Sequence, residues 1–152
     1  MPYKKRRKPA YSELYIEKAQ LTLGSMLDYA VYDLKMDIRD FYKMFLHTRI
    51  ADAFGSGDPK YTVGMSGAEL ADEVLHEITG AYTDVRPGYR FYRKPEYWAG
   101  WALAYYEWYS SIPFARIEET VPIDEIVEMY HPYHEADITK FTDAIDSKIN
   151  SQ

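Results

Sequence analysis

The sequence predicts an all-α domain, a bundle of five to seven helices around one central aromatic helix, and three observations carry that reading. Apolar residues recur at spacings of three and four through most of residues 12 to 149. Recognisable capping residues open these stretches, and Gly or Pro closes them. Only residues 81–94 have the turn-centred pattern of a short hairpin, so strands are confined to one place. The 152 residues amount to one domain, and a hydrophobic fraction of 47% suffices for one sizeable core.

Ser12 is the expected N-cap of a first helix over about 12–34, with Ile16, Ala19, Leu23, Met26, Leu27, Ala30, Val31 and Leu34 on one face. Asp37 opens a second, whose stripe is Ile38, Phe41, Met44 and Phe45. Around His47 to Arg49 the pattern breaks and restarts through Ile50, Ala53 and Phe54, leaving open one rod or two. Residues 55–65, GSGDPKYTVGM, are turn chemistry from end to end. Ser66 and Glu69 then form a capping box for a helix carrying Leu70, Ala71, Val74, Leu75 and Ile78, and Gly80 stops it.

In residues 81–94, AYTDVRPGYRFYRK, Pro87-Gly88 gives the turn of the hairpin, and Tyr82, Val85, Tyr89 and Phe91 suit its strands. Pro95 and Glu96 suit the first turn of PEYWAGWALAYYEWYS, a helix apolar or aromatic nearly all round. Such a helix belongs in the middle of a bundle or shows its second face to a partner. Phe114 and Ile117 mark a short helical turn; Pro122 opens a piece with Ile123, Ile126, Val127 and Met129, which Pro132 stops. The last helix runs from about Ala136 to Ile149. The expected division is a disordered basic arm over 1–11 and a helical domain over 12–150.

With 28% charged residues, a mean hydropathy of -0.47 and no apolar run near about 18 residues, the composition excludes a spanning helix and wholesale disorder. No signal-peptide pattern follows Met1, so a cytoplasmic protein with no membrane partner is expected. The absence of cysteine removes disulfides, thiolate metal sites and cysteine nucleophiles together. The net charge of -6 is unevenly spread: Lys4, Lys5, Arg6, Arg7 and Lys8 are all basic, whereas residues 9–152 hold 13 basic against 24 acidic. An acidic body attracts basic partners and repels nucleic acid, while the arm can meet a polyanion. Sixteen Tyr, 3 Trp and 6 Phe add large rings, and tyrosine, with a polar tip, suits interfaces and half-wet core edges.

The candidate chemistry is sparse. His131, His134, Glu135 and Asp137 are the densest metal-capable set, but Pro132 between the histidines disfavours a regular turn and no HExxH pattern occurs, so no metal is assigned. The glycines of GSGDPKYTVGMSG lack the Gly-Lys-Ser/Thr ending and the preceding strand of a phosphate loop, so no cofactor is assigned either. No serine elbow accompanies His47, His76, His131 or His134, and no catalytic residue is named. An enzyme assembled from distant segments stays open. The arm Lys4 to Lys8 is the expected nucleic-acid contact of an alternative, DNA-binding regulator, although the segment TRIADAFGSGD is poorly equipped for a groove. On the aromatic helix, Trp98, Tyr105 and Tyr109 are expected along a partly exposed edge that binds a partner protein or a second copy, with Trp101 in the core.

The strings LDYAVYDLKMDIRDFYKMFL, DAFGSGDPKYTVGMSGAELADEVL, PEYWAGWALAYYEWYS and MYHPYHEADITKF resemble a poorly characterised family of small proteins from gut-dwelling Firmicutes. The likeness spans roughly residues 20 to 145 and leaves out the arm. It implies membership of short loci of toxin–antitoxin character, some holding a toxin similar to ADP-ribosyltransferases, and it carries no catalytic residue. The expectation is therefore a non-enzymatic, antitoxin-like or accessory module that masks a partner protein through an acidic, tyrosine-rich surface.

Overall fold

In the computed structural model, which describes residues 8–151, the first long helix, α1 (Ile16–Tyr32), is the spine of the bundle. Ser12 caps a 3-10 turn, Glu13–Tyr15, that feeds it. α2 (Ile38–Leu46) starts at Asp37, whose carboxylate accepts from Arg39 N–H, and α3 (Arg49–Gly55) follows after a break at His47 and Thr48. The apolar stripe over 38–54 is thus two rods. Residues 55–65 are not turn throughout: Asp58 caps a one-turn helix, α4 (Pro59–Thr62), with proline in its tolerated first position. α5 (Gly67–Thr79) opens on the Ser66–Glu69 capping box, both hydrogen bonds of which form, and ends at Gly80 in the left-handed region, φ 79°.

α6 (Pro95–Ser110) lies along α1, and two glycines set how closely. A Cβ on Gly100 would stand 2.5 Å from the Leu23 carbonyl oxygen, and one on Gly24 would stand 2.8 Å from that of Tyr97. The backbones therefore meet where a side chain would hold them apart. α5 packs on another side of α1. α7 (Phe114–Thr120), α8 (Ile123–Glu128), α9 (Tyr130–Tyr133) and α10 (Ile138–Asn150) complete the chain. Pro132 does not stop the piece before it but sits inside the single turn of α9, where the first N–H groups of a helix need no intrahelical acceptor.

The core is continuous. Phe45, Phe54 and Phe114 join α2, α3 and α7, with ring centroids 5.7 and 6.0 Å apart, and Trp98 meets Phe141 of α10 edge-on at 5.4 Å. All-α architecture holds, with no strand among the described residues. The hairpin expected over 81–94 does not form: the segment is irregular, because its polar groups are taken by Tyr29 of α1 and by Asp33, which caps its C-terminus, instead of by a facing strand. Of the arm assigned to 1–11, residues 8–11 are held against α6, and Lys4 to Arg7 lie outside the described residues.

Candidate partner-binding surface

Residues 81–94 form a loop pinned at its middle by an ion cluster. Arg90 Nε donates to Asp28 Oδ2 at 2.8 Å and its Nη2 to Asp33 Oδ2 at 2.8 Å, while Gly88 N–H donates to Asp33 Oδ1 at 3.0 Å. All three side chains are largely shielded, between 11% and 21% exposed, so the ion pairs escape most solvent screening. The guanidinium's hydrogen bonds hold the Asp33 carboxyl below the ordinary carboxylate range, and those to Asp33 and then Asp28 raise Arg90. The Tyr29 hydroxyl lies 3.0 Å from both Val85 O and Asp72 Oδ1, which fixes the first half of the loop to α1 and α5.

The pinned backbone leaves its large rings outside. Tyr89 is 88% exposed, Phe91 78% and Tyr92 73%, and the last two meet edge to face at 4.9 Å. Arg86 before them and Arg93 and Lys94 after them are exposed as well. At the join with α6, Arg93 covers the Tyr97 ring at 4.4 Å, and a shallow cavity of about 280 Å³ opens between Arg93, Lys94, Trp98, Trp101 and Tyr130. Exposed aromatic area of this extent, rimmed by charge, marks interaction surfaces. The alternation of rings and basic residues in GYRFYRK is the signal for it, whereas the hairpin pattern assigns Tyr89 and Phe91 to strands.

The edge of α6 differs from expectation by one residue. Trp98 is buried at 8% exposure, packed between Tyr130 and Phe141, so it belongs to the core and not to the edge. Trp101 takes its place: Trp101, Tyr105 and Tyr109 are half-buried and spaced by four, with Tyr105 and Tyr109 stacked at 6.4 Å. The reason is that α9 and α10 cover the Trp98 side of a helix whose two faces are equally apolar. Tyr105 and Tyr109 remain on the edge, continuous through Trp101 with the cavity beside the loop.

The secondary metal candidates are not assembled. His134 Nδ1 donates to Tyr130 O at 2.7 Å and its ring stacks on Tyr130 at 4.0 Å; Asp137 caps α10; no three His, Cys, Asp or Glu side chains gather as a metal site would need, among the described residues. Of the basic arm, only Lys8 is described.

Fold and surface together define a small helical bundle that presents an aromatic loop pinned by an ion cluster, and among its described residues no helix is long and apolar enough to cross a membrane. No family model matches the chain, and neither curated proteins nor solved structures give a significant match.

Proposed function

We propose that the chain is a non-enzymatic protein-binding module, the antitoxin-like or accessory component of a toxin–antitoxin-type locus, that masks a partner protein. The single observation that carries the binding role is the fixed, outward display of Tyr89, Phe91 and Tyr92 by the Arg90 cluster. A backbone already pinned loses little entropy on docking, which is how a small patch gains affinity. Acidic residues elsewhere steer a basic partner: outside 81–94 the body from residue 9 carries 9 basic against 23 acidic residues. The link to a toxin is supported by the sequence resemblance alone.

A second reading is favoured by one feature. Arg86, Arg93 and Lys94 among exposed rings have the composition of a single-strand stacking platform, which would move the nucleic-acid contact of the alternative regulator from the arm to the loop. The acidic surroundings weigh against it. Retrieval from native host extract under mild salt, with wild type beside the Phe91→Ala/Tyr92→Ala double variant, separates the two. A stoichiometric protein held by wild type and lost from the folded variant supports masking. Nucleic acid released by modest salt supports the second reading, and identical eluates from both proteins refute a role for the loop.

A further inference from the structure

A buried acid that the loop does not use lies at the other end of α6. Residues 8–11 run there as a strap: Ala10 N–H donates to Trp108 O at 2.8 Å, Trp108 Nε1 to Tyr11 O at 2.9 Å, and the Ser111 hydroxyl to Lys8 O. Beneath the strap, between the C-terminal ends of α3 and α6 and the start of α7, is a cavity of about 430 Å³. Glu107 lines it at 4% exposure, and its Oε1 is buried with no hydrogen-bond partner among the described residues. Gly55 makes room for the carboxyl, since a Cβ there would stand 2.8 Å from Oε2. Ser111, also on the wall, is held at φ 58°, a conformation rare for residues other than glycine.

The surroundings are acidic on nearly every side. The last carbonyls of α6 and α3 bring the negative ends of two helices to the cavity, and Asp52 stands beside them. Tyr11 on the strap and Tyr42 on α2 have buried, unpartnered hydroxyls, both pushed up chiefly by burial and further by Glu107, and Glu118 on α7 is raised by burial as well. Among the described residues Lys8 is the one basic residue of the lining, and it is exposed and forms no ion pair with Glu107 or Asp52. Burial without a counter-charge pushes Glu107 up to about 9, so it holds its proton at neutral pH.

We propose that this cavity binds a primary alkylammonium ion, its head against Glu107 and its chain along Pro113 and Phe114. Among the described residues no three His, Cys, Asp or Glu side chains gather as a metal ion would need, whereas the Glu107 carboxyl, with Asp52 also on the wall and Ala51, Pro113 and Phe114 around it, suits a charged head on an apolar stem. Binding breaks and forms no covalent bond other than the acid's O–H: Glu107 gives its proton to solvent and its carboxylate pairs with the ammonium. Affinity therefore rises about tenfold per pH unit up to about 9, as less work is needed to ionise the acid.

The test is calorimetry with n-butylammonium and, separately, N-acetyl-lysine methylamide, at pH 7 in two buffers of different ionisation enthalpy. Expected are close to one proton released per cation and a loss of affinity of tenfold or more in Glu107→Gln. The probe that binds more tightly shows whether the natural source is a free amine or a lysine side chain. On wild type alone, the Glu107 carboxyl ¹³C resonance should shift from its protonated to its ionised position as amine is added, which covers a variant that fails to fold. No binding of either probe, binding without proton release, or undiminished binding to folded Glu107→Gln would overturn the proposal.

Discussion

Replacing Glu107 by Gln removes one ionisation and little else, so it isolates the cost of burying that acid. In the folded chain the carboxyl keeps its proton up to about 9, while in the unfolded chain it loses it near 4.5. Between these values the native state binds one proton more than the unfolded state, and stability must fall as pH rises. At pH 7 the accumulated loss is about 3 kcal/mol, and by pH 9 about 6 kcal/mol, taking about 1.4 kcal/mol per unit. The group is buried, so solvent screening removes little of this. Glu107→Gln and wild type should therefore unfold at similar urea concentrations at pH 4.5, and the variant should gain about 3 kcal/mol over wild type by pH 7. Other titrating groups are common to both proteins and cancel in the difference. Urea unfolding at pH 4.5, 7 and 8.5 measures it; two parallel stability curves would mean that Glu107 ionises alike in the folded and unfolded chains.

Gly100→Ala gains up to about 1 kcal/mol in helix propensity, but its Cβ meets the Leu23 carbonyl at 2.5 Å, and the overpacking cost of about 1–3 kcal/mol should win. A lower urea midpoint checks this. Trp98→Ala should cost about 3–5 kcal/mol as a core truncation, against less than about 0.5 kcal/mol for Phe91→Ala on the loop, compared by thermal unfolding. Arg90→Ala leaves Asp28 and Asp33 without their partner; about 2 kcal/mol of local stability should go, read as faster trypsin cleavage after Arg93 with the helical spectrum retained. Because Asp33 is held below the ordinary carboxylate range, the pinning is present at neutral pH and lost only as acid protonates that carboxyl, which hydrogen exchange of the Gly88 amide, corrected for the intrinsic rate at each pH, should report as a loss of protection.

Local signals were legible, and non-local ones were not. Ser12, Asp37, Ser66, Gly80 and Pro95 act within three residues of themselves, so their caps and stops could be read directly from the chain. The 81–94 loop is decided by Arg90 reaching Asp28 and Asp33 on α1, which no neighbouring pattern reveals, and the Pro-Gly turn with flanking β-formers pointed to a hairpin. The phase of α6 was hidden for another reason. A helix apolar all round has no amphipathic stripe to choose between Trp98 and Trp101, and the choice was made by α9 and α10. Glu107 did leave a trace, as the only acid beyond the first turn of that helix, but its burial depends on Gly55 and the strap from elsewhere in the chain.

Whether the chain binds a protein through its aromatic loop is decided by the dissociation constant of the retrieved partner for wild type and for Phe91→Ala. With melting temperature unchanged, removal of an anchoring ring should cost about 2 kcal/mol, or roughly thirtyfold in Kd. Equal affinity of the two folded proteins would contradict binding through the loop.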